Sequence, residues 1–153
     1  MRLRWAELLA LGLAASVPGE AQQPHELGVQ TLVTSSEPAL FVVGPYGAVR
    51  AGGRTRVSAA VAAGVSDNDL AWRAEGLGHF LLSPDKQNGW GAYVAGGVAV
   101  VGGPVNRGYI VLTLGAESRP GGRSGWAAEL GIGGGVRVGV GYRWRRLTPA
   151  FQK

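Results

Sequence analysis

Val136-Arg137-Val138-Gly139-Val140-Gly141-Tyr142-Arg143-Trp144 is the stretch whose reading decides the fold. Val136, Val138, Val140, Tyr142 and Trp144 share one parity, and Arg137, Gly139, Gly141 and Arg143 share the other. Successive side chains of a β-strand point to opposite faces, so this segment has one wholly apolar face and one that is small or charged. A single sheet then needs a greasy environment on one side and a surrounding that tolerates arginine on the other.

The pattern recurs upstream. Trp126, Ala128, Leu130 and Ile132 alternate with Ala127, Glu129, Gly131 and Gly133, and Val57, Ala59, Val61, Ala63 and Val65 alternate with Arg56, Ser58, Ala60, Ala62 and Gly64. Leu70, Trp72, Ala74, Gly76, Gly78 and Phe80 oppose Arg73, Glu75, Leu77 and His79. Trp90, Ala92, Val94, Gly96, Val98 and Val100 oppose Gly91, Tyr93, Ala95 and Gly97. Ile110, Leu112, Leu114 and Ala116 oppose Tyr109, Val111, Thr113, Gly115 and Glu117, and Leu27, Val29, Thr31 and Val33 oppose Gly28, Gln30 and Leu32. Only Ala39 to Arg50 is apolar on both faces. It contains Pro45, which cannot donate to a ladder and predicts a bulge or a strand end, so its register stays open.

From His25 onward no stretch has a 3.6-residue period, and the 27 glycines of the chain would each cost a helix about 1 kcal/mol. Between the alternating runs lie seven turn-forming groups. They are Ser35 to Pro38, Ala51 to Gly53, Ser66 to Asp69, Ser83 to Gly89, Gly102 to Pro104, Arg119 to Gly122 and Gly133 to Gly135. Glycine, proline, asparagine and aspartate supply the dihedrals of tight reversals. Seven reversals predict eight antiparallel strands in up-and-down order, each near the roughly 9 to 11 residues that cross a bilayer at a tilt.

Alternation alone fits two architectures. A secreted soluble lipocalin-like barrel would turn the apolar face inward around a small apolar ligand, and a transmembrane barrel would turn it outward to lipid. In the calyx many glycines would lie on a solvated face, where they weaken strands without aiding solubility. In a narrow membrane barrel they would leave room inside for arginine and glutamate. Trp72, Trp90, Trp126, Tyr142 and Trp144, with Phe80, fall near strand ends on the apolar face, as a lipid-facing girdle at the two interfaces requires. An arginine on lipid at the midplane costs roughly 2 to 4 kcal/mol, so Arg56, Arg73, Glu75, Glu129 and Arg137 are assigned inward with His79, as a polar network filling the lumen. The fold class is therefore an all-β, antiparallel, eight-stranded up-and-down transmembrane β-barrel.

The first residues fit that destination. Two arginines within Met1 to Arg4, an apolar run from Leu8 to Val17 and small residues at Gly19 and Ala21 outline a signal peptide over residues 1–21, although Glu7 interrupts the pattern. Residues 22–153 then form one barrel domain, secreted across the inner membrane of a bacterium to its outer membrane. The chain has no cysteine, so neither disulfides nor thiolate chemistry are available to it. Its net charge of +5 comes from arginines spread along the chain, with Lys86 and Lys153 the sole lysines. Nucleic-acid binding would need a basic stripe with aromatic platforms, which is absent. Contact with outer-membrane lipid and lipopolysaccharide is compatible with that charge.

The stretch Gly135 to Trp144 resembles the last strand of the small OmpA/OmpX-type outer-membrane barrels, which alternates and finishes in an aromatic residue. The resemblance implies that Trp144 is a recognition signal for the outer-membrane insertion machinery. Nine residues, Arg145 to Lys153, follow it, so the signal is internal unless Phe151 takes its place. The outer loops are shorter than is usual in that family, which disfavours adhesion or receptor roles.

Candidate catalytic chemistry centres on His79, the only histidine well inside the predicted strands, since His25 lies at their edge. Ser58 or Ser83 could meet His79, with Glu75 four residues before it on the same face. No Gly-x-Ser-x-Gly elbow, phosphate-binding loop or metal-ligand spacing occurs, and no cofactor is expected. The expectation is a monomeric structural barrel with a closed polar interior and no intrinsic catalysis. Its alternatives are the soluble calyx and a lipid-modifying enzyme around His79.

Overall fold

Each of the seven turn-forming groups separates two strands in the structure, a computed structural model that describes residues 25–146. The strands are β1 (His25–Thr34), β2 (Leu40–Arg50), β3 (Thr55–Ser66), β4 (Asp69–Leu81), β5 (Trp90–Gly102), β6 (Arg107–Ser118), β7 (Ser124–Ile132) and β8 (Val136–Arg146). Every strand pairs antiparallel with its neighbours in sequence, and β8 pairs with β1 from Thr34↔Arg137 to His25↔Arg146, which closes the barrel. Among the described residues there is no helix. The signal-peptide reading of residues 1–21 and the role of Phe151 lie outside the described residues.

Local chemistry explains the reversals. The β3–β4 hairpin turns on Asp67 and Asn68, whose φ values of 51° and 65° are the left-handed pair that a two-residue type I′ turn demands, and Asp and Asn tolerate that region best among residues with side chains. In β2, Pro45 makes neither a bulge nor a strand end. Pairing with β1 runs unbroken through Val29↔Pro45, and pairing with β3 keeps one register on either side, from Leu40↔Ser66 to Val43↔Ala63 and from Tyr46↔Ala60 to Arg50↔Arg56. The interruption is confined to Gly44 and Pro45. Gly44 has no side chain to collide with Val61 and Ala62 of β3, so the strands stay close past the missing donor.

Followed once round the barrel, the eight registers return to β1 ten residues from the starting point. That shear on eight strands tilts them by roughly 43° and gives a radius of about 8 Å, which side chains fill. On the outward face of β4, Leu70 and Phe80 lie about 33 Å apart along the strand, or about 24 Å in barrel height. An apolar band of this kind is about 25 Å tall in membrane barrels.

Facing follows parity throughout. Val136, Val138 and Val140 project outward with relative exposures of 54%, 51% and 47%, whereas Arg137 is fully buried. The outward face carries no charged residue between the strand ends. Inside, the upper rim, where β1 ends and β8 begins, is packed with Leu32, Leu40, Val42, Ala62 and Ala71. A second apolar cluster, Leu77, Leu81, Tyr93, Ala95, Ala99 and Val111, lines the wall of β4 to β6. The remaining interior holds the charged residues together with small and neutral polar ones.

Candidate functional site

Two ion-pair clusters occupy the lumen, each assembled from the inward parity of several strands. In the middle cluster Glu75 of β4 accepts from Arg137 of β8 at 2.9 and 3.3 Å, from Arg73 Nε at 2.9 Å and from Gln30 at 3.3 Å. Arg137 also donates to Glu129 of β7, and Arg73 reaches the Gly133 carbonyl at 3.3 Å. Two arginines thus face two glutamates. Such charge-assisted, partly bidentate bonds are what make burial of these groups tolerable, since an unpaired charge here would cost several kcal/mol.

The second cluster sits at the lower rim, where β1 begins and β8 ends. Arg56 Nη1 donates to Glu117 at 2.8 Å and to Glu26 at 3.2 Å, Arg143 Nη1 donates to Glu117 at 3.0 Å, and Arg145 Nε donates to Glu26 at 2.9 Å. Arg50 reaches the carbonyls of Pro84 and Pro120, both at 3.1 Å, and so ties the interior to two turns. Glu26, Arg50, Glu117, Arg143 and Arg145 were not among the lumen residues expected from sequence. Parity was the signal that could have found them, because Glu117 and Arg143 lie on the same faces as Thr113 and Arg137. All six expected residues, Arg56, Arg73, Glu75, His79, Glu129 and Arg137, point inward, but into two clusters rather than one.

Glycine makes room for larger neighbours across the ladder. Tyr46 lies against Gly28, its direct partner on β1, Tyr93 lies against Gly115 on β6, and Glu129 lies against Gly139 on β8. A Cβ on any of these glycines would collide with the side chain opposite it. Of the arginine and glutamate for which the glycines were expected to leave room, these three notches take one glutamate, and their other tenants are two tyrosines. Tyr93 also stands 5.3 Å from the His79 ring, carries the Arg56 guanidinium over its face at 5.3 Å and donates its hydroxyl to Glu129 at 3.5 Å, joining the two clusters. Between them remains a cavity of about 40 Å³ lined by Gln30, Tyr46, Ser58, Glu75, His79 and Glu129. That is room for about two or three waters.

Similar architecture occurs in two solved structures. The N-terminal β-barrel domain of Pseudomonas aeruginosa OprF superimposes with a TM-score of 0.63 at 11% identity, covering 82% of this chain and all of that one. The chain has the fold of the small eight-stranded outer-membrane barrels. Neisserial surface protein A gives a TM-score of 0.51, also at 11% identity, over 83% of this chain and 99% of that one. No family model matches the sequence, and no curated protein matches it. The likeness to these outer-membrane barrels is one of fold.

As in a barrel of this fold, the outward aromatics lie towards the rims. Trp90, Trp126 and Trp144 are about half exposed near the lower rim, and Tyr142 bridges two of them edge-on, 5.0 Å from each. Phe80 stands above them on β4. Among the described tryptophans Trp72 alone lies near the upper rim, laid over its ladder partner Gly102.

The arrangement at His79 opposes nucleophilic chemistry. Ser58 Oγ is 2.8 Å from His79 Nε2, while Arg56 Nη2 is 3.3 Å from Nδ1. A guanidinium has only donors, so Nδ1 accepts, the ring proton sits on Nε2, and Ser58 receives a hydrogen bond instead of giving up its own proton. A hydrolytic triad needs the reverse tautomer with a carboxylate on Nδ1. Glu75 is engaged by arginines, and Ser83 lies in the β4–β5 turn. Among the described residues no three His, Asp or Glu side chains are grouped as a metal site would group them.

Proposed function

We propose that this chain is a structural protein of a bacterial outer membrane: a monomeric barrel, closed to solutes by its ion-paired lumen, with no intrinsic catalysis. Residues 1–21 direct export and are removed, and residues 22–153 are inserted by the outer-membrane insertion machinery to lie among phospholipid and lipopolysaccharide.

One observation carries the reading. The outward face is a continuous apolar belt, with Leu70, Val98, Ile110 and Leu114 all more than 60% exposed, while the charged residues pair inside. Soluble monomers rarely expose apolar patches beyond a few hundred Å², and a belt around a whole barrel far exceeds that. Hydrocarbon is the solvent such a surface fits. A calyx reading would need the valines of β8 turned inward around a cavity of several hundred Å³, and both geometry and volume oppose it. The same packing supports closure, because among the described residues the ion pairs and tyrosine-filled notches leave a central cavity of about 40 Å³ and one of about 20 Å³ beneath the upper rim.

The test is fractionation with heat-modifiable migration. The mature chain is expected in the outer-membrane fraction, running as a compact band in detergent until it is boiled. A monomer folded in buffer without detergent would refute the membrane reading.

A further inference from the structure

The charges of this barrel are sorted by rim. The three turns at the lower rim carry Arg54, Lys86, Arg119 and Arg123, all exposed, against a single acid, Asp85. Directly inside that rim, Arg50, Arg56, Arg143 and Arg145 face only Glu26 and Glu117. The middle cluster is neutral, and the turns at the upper rim hold Glu37 and Asp67, with Asp69 and Arg107 beginning the strands beside them. Among the described residues the positive excess therefore lies at one rim.

The placement of these cations matches a lipid headgroup layer. Arg54 is on the β2–β3 turn, Lys86 on the β4–β5 turn, and Arg119 and Arg123 on the β6–β7 turn; the last two turns meet, Gly121 N donating to the Lys86 carbonyl at 2.8 Å, so this collar of cations is a group of three with Arg54 apart on its own turn. Just above the collar stand Trp90, Trp126 and Trp144, at the level where aromatic rings mark the boundary between headgroups and acyl chains. Lys86 Nζ donates to the Trp90 carbonyl at 3.2 Å, which holds one cation of the collar beside one ring of the belt. The unbalanced arginines inside the rim add to the same field, in surroundings where salt screens them little.

We propose that the lower rim binds anionic phospholipid, each exposed cation of the collar pairing with the phosphate of a separate lipid whose chains lie against the tryptophan belt. The inference rests on the membrane reading above. Phospholipid is favoured over lipopolysaccharide because Arg54 is the one base on the β2–β3 turn and Asp85 lies among the bases of the other two turns, which suits single phosphates, whereas a two-phosphate sugar headgroup calls for an unbroken group of bases. Basic side chains near an anionic membrane surface each contribute enough to enrich acidic lipid severalfold.

The test uses native tryptophan fluorescence in vesicles. With Trp5 and Trp72 replaced by phenylalanine in the full chain, Trp90, Trp126 and Trp144 report on the lower rim. Phosphatidylglycerol with brominated acyl chains is expected to quench them at about threefold lower mole fraction than brominated phosphatidylcholine. In Arg54→Gln/Lys86→Gln/Arg119→Gln/Arg123→Gln the preference should fall to about one, and in about 1 M salt the unsubstituted collar should lose most of it. Equal quenching by both lipids overturns the inference and leaves the membrane reading standing, whereas quenching by neither overturns the membrane reading itself. A preference that survives the fourfold replacement, or displacement of the brominated lipid by small amounts of added lipopolysaccharide, also refutes the assignment.

Discussion

Replacing Glu75 by glutamine preserves the size of the side chain and removes one of the two negative charges that balance Arg73 and Arg137. All three side chains are almost fully enclosed, at 4%, 2% and 0% exposure, so solvent offers little screening. Charges about 4 Å apart at an effective dielectric near 20 attract by about 4 kcal/mol, and removing one partner of a buried pair costs about 3 to 5 kcal/mol because the other is left uncompensated. Glu75→Gln leaves Arg137 with Glu129 but Arg73 with only the Gly133 carbonyl, so the loss should lie in that range. Arg73→Gln/Glu75→Gln restores neutrality and should recover about 2 kcal/mol or more of it. Urea titration in vesicles, followed by tryptophan fluorescence and by migration on a cold gel, reads both values. A Glu75→Gln barrel within about 1 kcal/mol of the parent, or a double variant no better than the sum of the singles, would refute the claim that these charges hold the lumen as a balanced unit.

Three further outcomes are expected. Val140→Arg, midway along β8 on the outward face, should cost about 2 to 4 kcal/mol of folding free energy in a bilayer, while Val136→Arg at the strand end costs about 0 to 1; similar small costs at both sites would argue for water on that face. Gly115→Ala drives a methyl group into the Tyr93 ring and should destabilise by about 1 to 3 kcal/mol, with most of that returned by adding Tyr93→Leu, as urea midpoints would show. Ser58 should remain unlabelled by a fluorophosphonate that reacts with activated serines, since His79 donates to it; covalent labelling at Ser58, found by mass spectrometry, would contradict the tautomer deduced from Arg56.

Much of this architecture was legible because one physical contrast, grease outside and charge inside, is written at period two. Val136 to Trp144 needed no partner to reveal its faces, and the phase of each alternating run, from Leu27 to Val33 onward, matches its facing in the barrel. The segment around Pro45 was not legible because the upper lumen is itself apolar: Leu40 and Val42 point into it while Phe41 and Val43 point out, so the contrast vanishes. Register was beyond reach as well, since it depends on which strand residue meets which. Without it, neither the Tyr46–Gly28 and Tyr93–Gly115 notches nor the division of the charges into two clusters could be drawn. Arg143 and Glu117 were within reach of parity alone, but Glu26 and Arg145 became members of a cluster only when β8 met β1.

The seam between β8 and β1 joins residues more than a hundred positions apart; Arg145 bolts the last strand to Glu26 beside it, and Arg137 bolts it to Glu75 across the lumen. A cask made this way has no expendable stave. Until the final one is seated, every hoop of hydrogen bonds is open and half of the internal bolts hang loose, so assembly must finish as a single event and cannot stop safely at seven-eighths. Once complete, every strand has a neighbour on both sides.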